Sequence, residues 1–361
     1  MERVLNAFTY NIFNNFNPFA RSPSFSYSAM LHKNNATIYG MQSDVEKWLW
    51  ITYLITVSLS SLLGDIIILV ASIRHDALRL NKVIIAIMQQ IAVCDLTLCL
   101  AWVLPMVAST IAKDWILGDT FAQGQELINL FAYPMNNVLV CFLTTAKFLM
   151  VRYPMKTRIW TAKGAHIFCG VFWLALFFNA IAYWLEHKED LIFDYTTYEI
   201  DFNVSYSRDG ATSTRLVVGS LQITIIAIII LTSVLTLRLL FKARDISRRG
   251  NGSVRWQGIL TVSLTAAVFC ISSLPSFLYF IAEPFVDEAE PLPGFFHVQL
   301  KRISEYSYLV NVMSNFYIYS LTVPSFRRFL RTHVFFLSGK VVAEVRNDRT
   351  SQKKVEEKTV L

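Results

Sequence analysis

Seven long runs almost free of charge constrain this chain more than any other feature. They extend over Trp48 to Ile73, Val83 to Thr110, Ala122 to Met150, Ala165 to Trp184, Leu216 to Phe241, Val254 to Ala282 and Ile303 to Val323. About 20 apolar residues cross a hydrocarbon core of roughly 30 Å as helix, the state in which each segment satisfies its own backbone in lipid. Only 16% of the 361 residues are charged, against roughly 25% in an average soluble domain, so a soluble core of this length could not hide the apolar surface. The expectation is an all-α membrane protein: a seven-transmembrane helix bundle over 48–323, with a tail, 1–47, before it. A short amphipathic eighth helix, 324–338, and a disordered polar tail, 339–361, follow. No secretory apolar core precedes Trp48, so the first span is expected to serve as the uncleaved signal.

Orientation follows from the basic residues. With the amino terminus outside, the inner segments hold Arg74, Arg79 and Lys82, then Lys147, Arg152, Lys156, Arg158 and Lys163, then Arg238, Lys242, Arg244, Arg248, Arg249 and Arg255, and the basic tail. The opposite segments carry acids such as Glu186, Asp194 and Glu288, and this asymmetry predicts a multi-pass plasma-membrane protein with its carboxyl terminus in the cytosol. Anionic inner-leaflet lipid accounts for the net charge of +7 without a nucleic-acid partner. Glycosylation sequons at Asn35 and Asn203 fall on the outer side. All five cysteines lie within spans, so no extracellular disulfide is expected. Residues 325–337 place Phe326, Phe329 and Leu330 opposite Arg327, Arg328 and Arg331, the pattern of a helix lying in the interface against membrane lipids. The ending Thr359-Val-Leu361 is similar to peptides that add as a strand to a PDZ domain.

Ionisable groups at membrane depth are functional candidates by default, and Asp65 and Asp95 are the clearest. The latter closes Ile91-Ala-Val-Cys-Asp95. Around it stand Gly64-Asp65 in the first span, Trp115-x-x-Gly118 before the third, Trp173 in the fourth, Phe269 and Pro275 in the sixth, and Asn311, Asn315 and Tyr319 in the seventh, with Phe326-Arg-Arg328 beyond. In order and spacing these resemble a divergent rhodopsin-like G-protein-coupled receptor, similar to invertebrate peptide-receptor-like or chemoreceptor branches. The resemblance implies that Asp65, Asp95, Asn136, Asn311 and Asn315 converge between helices. Two carboxylates at one low-dielectric site repel, so a Na⁺ ion with water centred on Asp95 is one expectation; an uncharged network gluing the helices is the other. No other cofactor is expected.

The resemblance also assigns Lys147, Arg152, Phe269, Pro275, Tyr319 and Arg255 to coupling with a heterotrimeric G protein. Lys147 stands in Ala146-Lys147-Phe148, where the family carries Asp-Arg-Tyr, and keeps the charge but loses the planar fork. Ser272-Ser273-Leu274-Pro275 replaces Cys-Trp-x-Pro, Phe316 replaces a proline, and Ala122 replaces the helix-three cysteine.

The expected ligand mouth comprises Trp102, Glu126, Asn129, Tyr133, Tyr279, Glu283, Lys301, Arg302, Glu305 and Tyr308. Aromatic walls with charges of both signs suit a short peptide or a small chemosensory molecule. Alternation in "IFDYTTYEIDFNVSYS" predicts a hairpin over that mouth. A secondary transporter of a small polar solute is the alternative, but internal repeats and interrupted helices are not evident. No nucleophile–base pair or metal-spaced histidines mark an enzyme.

Overall fold

A computed structural model describes residues 44–74, 81–112, 114–157, 159–187, 191–194, 199–202, 220, 223–239, 253–282 and 291–334. Helix α1 covers Asp44–Ile73. Helix α2 covers Lys82–Ala112, α-helical over Lys82–Leu98 and Leu104–Ala112 with a π-helical turn, Cys99–Val103, between them. Helix α3 is Asp119–Arg152 and α4 is Ala162–His187. Strands β1, Leu191–Asp194, and β2, Glu199–Phe202, pair antiparallel with Leu191 opposite Phe202. Helix α5 is Ile223–Leu239, α6 is Ser253–Ala282 and α7 is Pro291–Thr322. The short α8, Pro324–Phe329, runs on into a π-helical turn, Leu330–Val334.

Local chemistry explains the ends. Asn81 caps α2 by accepting from the Val83 N–H at 2.8 Å, as N-cap side chains do. The π turn lies immediately before Pro105, whose ring lacks an N–H and crowds the preceding carbonyls; the Leu104 N–H reaches back to the Cys99 carbonyl instead. Before α3 the chain turns at Gly118, whose φ of 83° is comfortable only without a side chain. The Trp115 Nε1–H donates to the Gly118 carbonyl at 3.0 Å, which fixes the turn of the Trp115-x-x-Gly118 motif.

Helices α1 to α4, over Lys47–Ile73, Lys82–Ala112, Asp119–Arg152 and Ala162–Leu185, are each long and apolar enough to cross a membrane. Among the described residues α5 and α6 contribute shorter apolar stretches, Ile223–Leu239 and Leu264–Tyr279. Helix α7 begins well before Ile303 because helical geometry continues through Lys301 and Arg302, charges that end the apolar run in the sequence. Together they form a seven-helix bundle in which α6 lies along α7, α2 packs on α3 and α4, and α1 packs on α2 and α7. The hairpin predicted from alternation is present, and β2 rests against the end of α2 and against α3.

The largest core joins α1, α2, α3, α7 and α8 through residues such as Leu54, Ile68, Ile87, Leu98, Leu139, Leu309 and Phe326. Phe269 of α6 packs in a second cluster with Val140 of α3 and Ile225 and Ile229 of α5. Helix α4 keeps Ile167, Val171, Leu174 and Phe178 exposed, the face such a helix turns to lipid. The amphipathic reading of the eighth helix holds over 324–334: Phe326, Phe329 and Leu330 are buried, whereas Arg327, Arg328 and Arg331 are exposed.

Candidate functional site

Halfway along the bundle, three helices meet at one carboxylate. Asp95, fully buried in α2, accepts from the Asn136 side-chain amide of α3 at one oxygen and from Asn315 Nδ2 of α7 at the other, at 2.7 Å. Asn311 Nδ2 donates in turn to Asn136 Oδ1 at 3.4 Å. Asp65 of α1 accepts from Ser61 Oγ at 2.8 Å and lies within electrostatic reach of Asp95. The structure thus brings Asp95, Asn136, Asn311 and Asn315 into one chain of hydrogen bonds with Asp65 at its edge. Asn315 Oδ1 is buried and has no partner. Among the described residues no three of His, Cys, Asp and Glu gather as a metal cluster, so any cation here would rest on carboxylate and amide oxygens.

Toward the hairpin end, Tyr133 of α3 and Tyr308 of α7 bring their ring centroids to 4.1 Å, with Trp102 of α2 at 6.0 Å from Tyr308. Burial of such rings against one another is favourable beyond the area they cover. Asn129 lies one turn nearer the hairpin than Tyr133 on α3, and its Oδ1 is buried without a partner. Glu126 and Arg302 are buried, Tyr279, Lys301 and Glu305 half-buried, and each of the five takes part in a polar, charged or ring interaction. Glu283 lies outside the described residues.

Toward the α8 end stand Lys147, half-buried, and Arg152, exposed, with its guanidinium carbon 5.4 Å from the Tyr153 ring centroid. Tyr319 is buried, its hydroxyl unpartnered. Pro275 sits inside α6. Arg255 is on α6, its side chain outside the description, and Arg244, Arg248, Asn35, Asn203 and the Thr359-Val-Leu361 ending lie outside the described residues altogether.

Several cross-helix contacts have no signature along a single helix. Helices α6 and α7 are stitched by serines: Ser304 Oγ donates to Ser276 Oγ at 2.9 Å, Ser276 Oγ to the Ser304 carbonyl at 3.3 Å, and Ser307 Oγ to the Ser272 carbonyl at 2.9 Å. Trp173 Nε1 donates to Gln90 Oε1 at 3.1 Å, tying α4 to α2. The Tyr53 hydroxyl donates to the Tyr306 carbonyl at 2.6 Å while Trp50 stacks on the Tyr306 ring at 3.9 Å. Gly64 lies under Phe316. A helical small residue facing a large one is a signal for such close approach, but the partner is not readable from spacing.

Residues 64–329 match the family model described as 7 transmembrane receptor (rhodopsin family). No curated protein matches the chain.

Proposed function

The chain belongs to the rhodopsin family of seven-transmembrane receptors, and from that premise we propose that it carries an extracellular peptide or small-molecule signal to heterotrimeric G proteins. It is a multi-pass plasma-membrane receptor. In this reading the 1–47 tail and the hairpin face outward, while α8 and the 339–361 tail face the cytosol, where a PDZ domain could take the last residues. The observation that supports the reading best is the Asp95–Asn136–Asn315 junction, because it ties α2, α3 and α7 together between the aromatic mouth and the Lys147 end. An outer ligand that prefers one packing of these helices shifts the population of the other end.

Lys147, with Arg152 and Arg255, supplies positive charge to the inner cleft that would receive a heterotrimeric G protein, and Pro275 supplies the pivot in α6. The secondary-transporter alternative is not favoured. Lys147→Ala is expected to abolish nucleotide exchange evoked by any agonist recovered from peptide and metabolite libraries while surface expression stays normal; undiminished exchange would remove Lys147 from the mechanism.

The oxygens around Asp95 fit a hard monovalent cation: a buried carboxylate, a second one in reach, and the unpartnered Asn315 Oδ1. Asp95 and Asn315 would hold the ion, which when bound would supply positive charge that favours the packing around it. The thermal midpoint of the purified receptor is expected to rise when NaCl replaces choline chloride and to become insensitive in Asp95→Asn. Equal midpoints of wild type in both salts would contradict the ion.

A further inference from the structure

Among the described residues, four neutral side chains in the hairpin half of the bundle, Gln125, Asn129, Tyr308 and Ser273, carry buried polar atoms without a hydrogen-bond partner. Gln125 of α3 is 2% exposed, yet both its Nε2 and its Oε1 lack partners. One turn on, Asn129 Oδ1 is unpartnered; Tyr133, the next residue on the same stripe, packs at a tilt against Tyr308, whose buried hydroxyl is also unpartnered. Ser273 of α6 is fully buried, and its Oγ is alone. The Ser307 to Ser272 hydrogen bond sets the level of α6 against α7; because the helices run antiparallel, Ser273 and Tyr308, one residue on from that bond in each, differ in depth by only about 3 Å. The charged residues of this mouth that are described, Glu126, Lys301, Arg302 and Glu305, by contrast each take part in an interaction.

Buried donors and acceptors left unmade are costly, and a side chain with both a lone donor and a lone acceptor narrows what can satisfy it. An ammonium has no acceptor for Gln125 Nε2, and a carboxylate has no donor for its Oε1. An amide has both. In an extended peptide the N–H and C=O of one residue point the same way and pair side by side with a carboxamide. From Gln125 to Tyr133 α3 rises about 12 Å, at roughly 1.5 Å per residue, the length of three to four extended residues at about 3.3 Å each.

Resting on the receptor reading above, we propose that Gln125 is a specificity-determining residue that reads the backbone amides of an extended tri- or tetrapeptide, whose inner end meets the hydroxyls of Tyr308 and Ser273. Charge is then secondary to amide geometry in the choice of ligand. Ser273, where the family carries tryptophan, leaves an inner floor that hydrogen-bonds rather than one that only packs.

The test uses the full-length receptor purified in detergent micelles. It is incubated with an equimolar library of N-acetylated tripeptide amides and, separately, with amines and carboxylic acids of matching mass that contain no amide; retained compounds are read by mass spectrometry after gel filtration. Tripeptide amides are expected on wild type and about tenfold less on Gln125→Leu, the loss of two neutral hydrogen bonds. Gln125→Leu is also expected to raise the thermal midpoint of the unliganded receptor, since it deletes two unpaired buried atoms. Retention of peptides equally by both proteins, retention of amines or acids alone, retention of nothing, or a lowered midpoint in Gln125→Leu would overturn the proposal. Basal nucleotide exchange by wild-type membranes on a panel of heterotrimeric G proteins, measured in parallel, judges the receptor reading separately: exchange without peptide retention sinks only the peptide, and absence of exchange sinks the reading beneath it.

Discussion

At Gly64 of α1 there is room for hydrogen and nothing more. A Cβ there would stand 2.6 Å from Phe316 Cβ and 2.9 Å from its Cγ, so α1 and α7 touch backbone to side chain. Phe316 occupies the place where the family carries a proline, and its packing into the Gly64 notch, with Phe326 edge-on at 6.1 Å, is what holds α7 to α1 at this level. Gly64→Ala is therefore expected to destabilise the receptor by about 1–3 kcal/mol, the range for overpacking a close contact. The penalty should shrink in a Phe316→Ala background, read as thermal midpoints of the four proteins in a double-mutant cycle; an additive cycle would show that the two residues do not press on each other. The network around Asp95 works by the opposite device, attraction between side chains, where each cross-helix hydrogen bond in a membrane contributes about 0.6 kcal/mol.

Among the elements, α8 depends on its apolar side. Phe326 is fully buried against α7 and stacks on Phe329, which stacks in turn on His333 with centroids 4.8 Å apart. Phe326→Ala removes a core phenyl group and is expected to cost about 3 kcal/mol, read as earlier proteolytic cutting within 324–334 of the purified receptor, whereas Arg327→Ala, on the exposed side, should leave the cutting pattern unchanged. This face was legible in the sequence, because the spacing of Phe326, Phe329 and Leu330 against three arginines obeys the helical period. The spans were legible for the same kind of reason: hydropathy acts locally and needs no partner. Where charge interrupts an apolar run, as at Lys301 and Arg302, the run ends before the helix does, so hydropathy alone does not show where α7 starts. The π turn in α2 was hidden because it answers to the register of Pro105 within the bundle. The pairing of Asp95 with Asn136 and Asn315 came from family resemblance; the isolation of Gln125 and Ser273 could not, since an unmade hydrogen bond is a property of the neighbours, and no pattern along one helix reports them.

For the molecule as a whole, the two ends of the bundle differ in chemistry. One carries the hairpin, the aromatic trio Trp102, Tyr133 and Tyr308, and a column of unpartnered neutral groups; the other carries Lys147, Arg152 and the basic side of α8. Each Lys or Arg beside an anionic leaflet contributes about 1 kcal/mol, enough in sum to set the direction in which the chain threads the bilayer. Signalling across the membrane requires that these ends face different compartments, and seven crossings then place the two chain termini on opposite sides as well. The direct measurement is antibody labelling of cells expressing the chain with one epitope ahead of Met1 and another beyond Leu361. Label at the amino-terminal epitope on intact cells, with the carboxyl-terminal epitope reached only after permeabilisation, is the predicted result; both epitopes reached on intact cells, or neither, would contradict it.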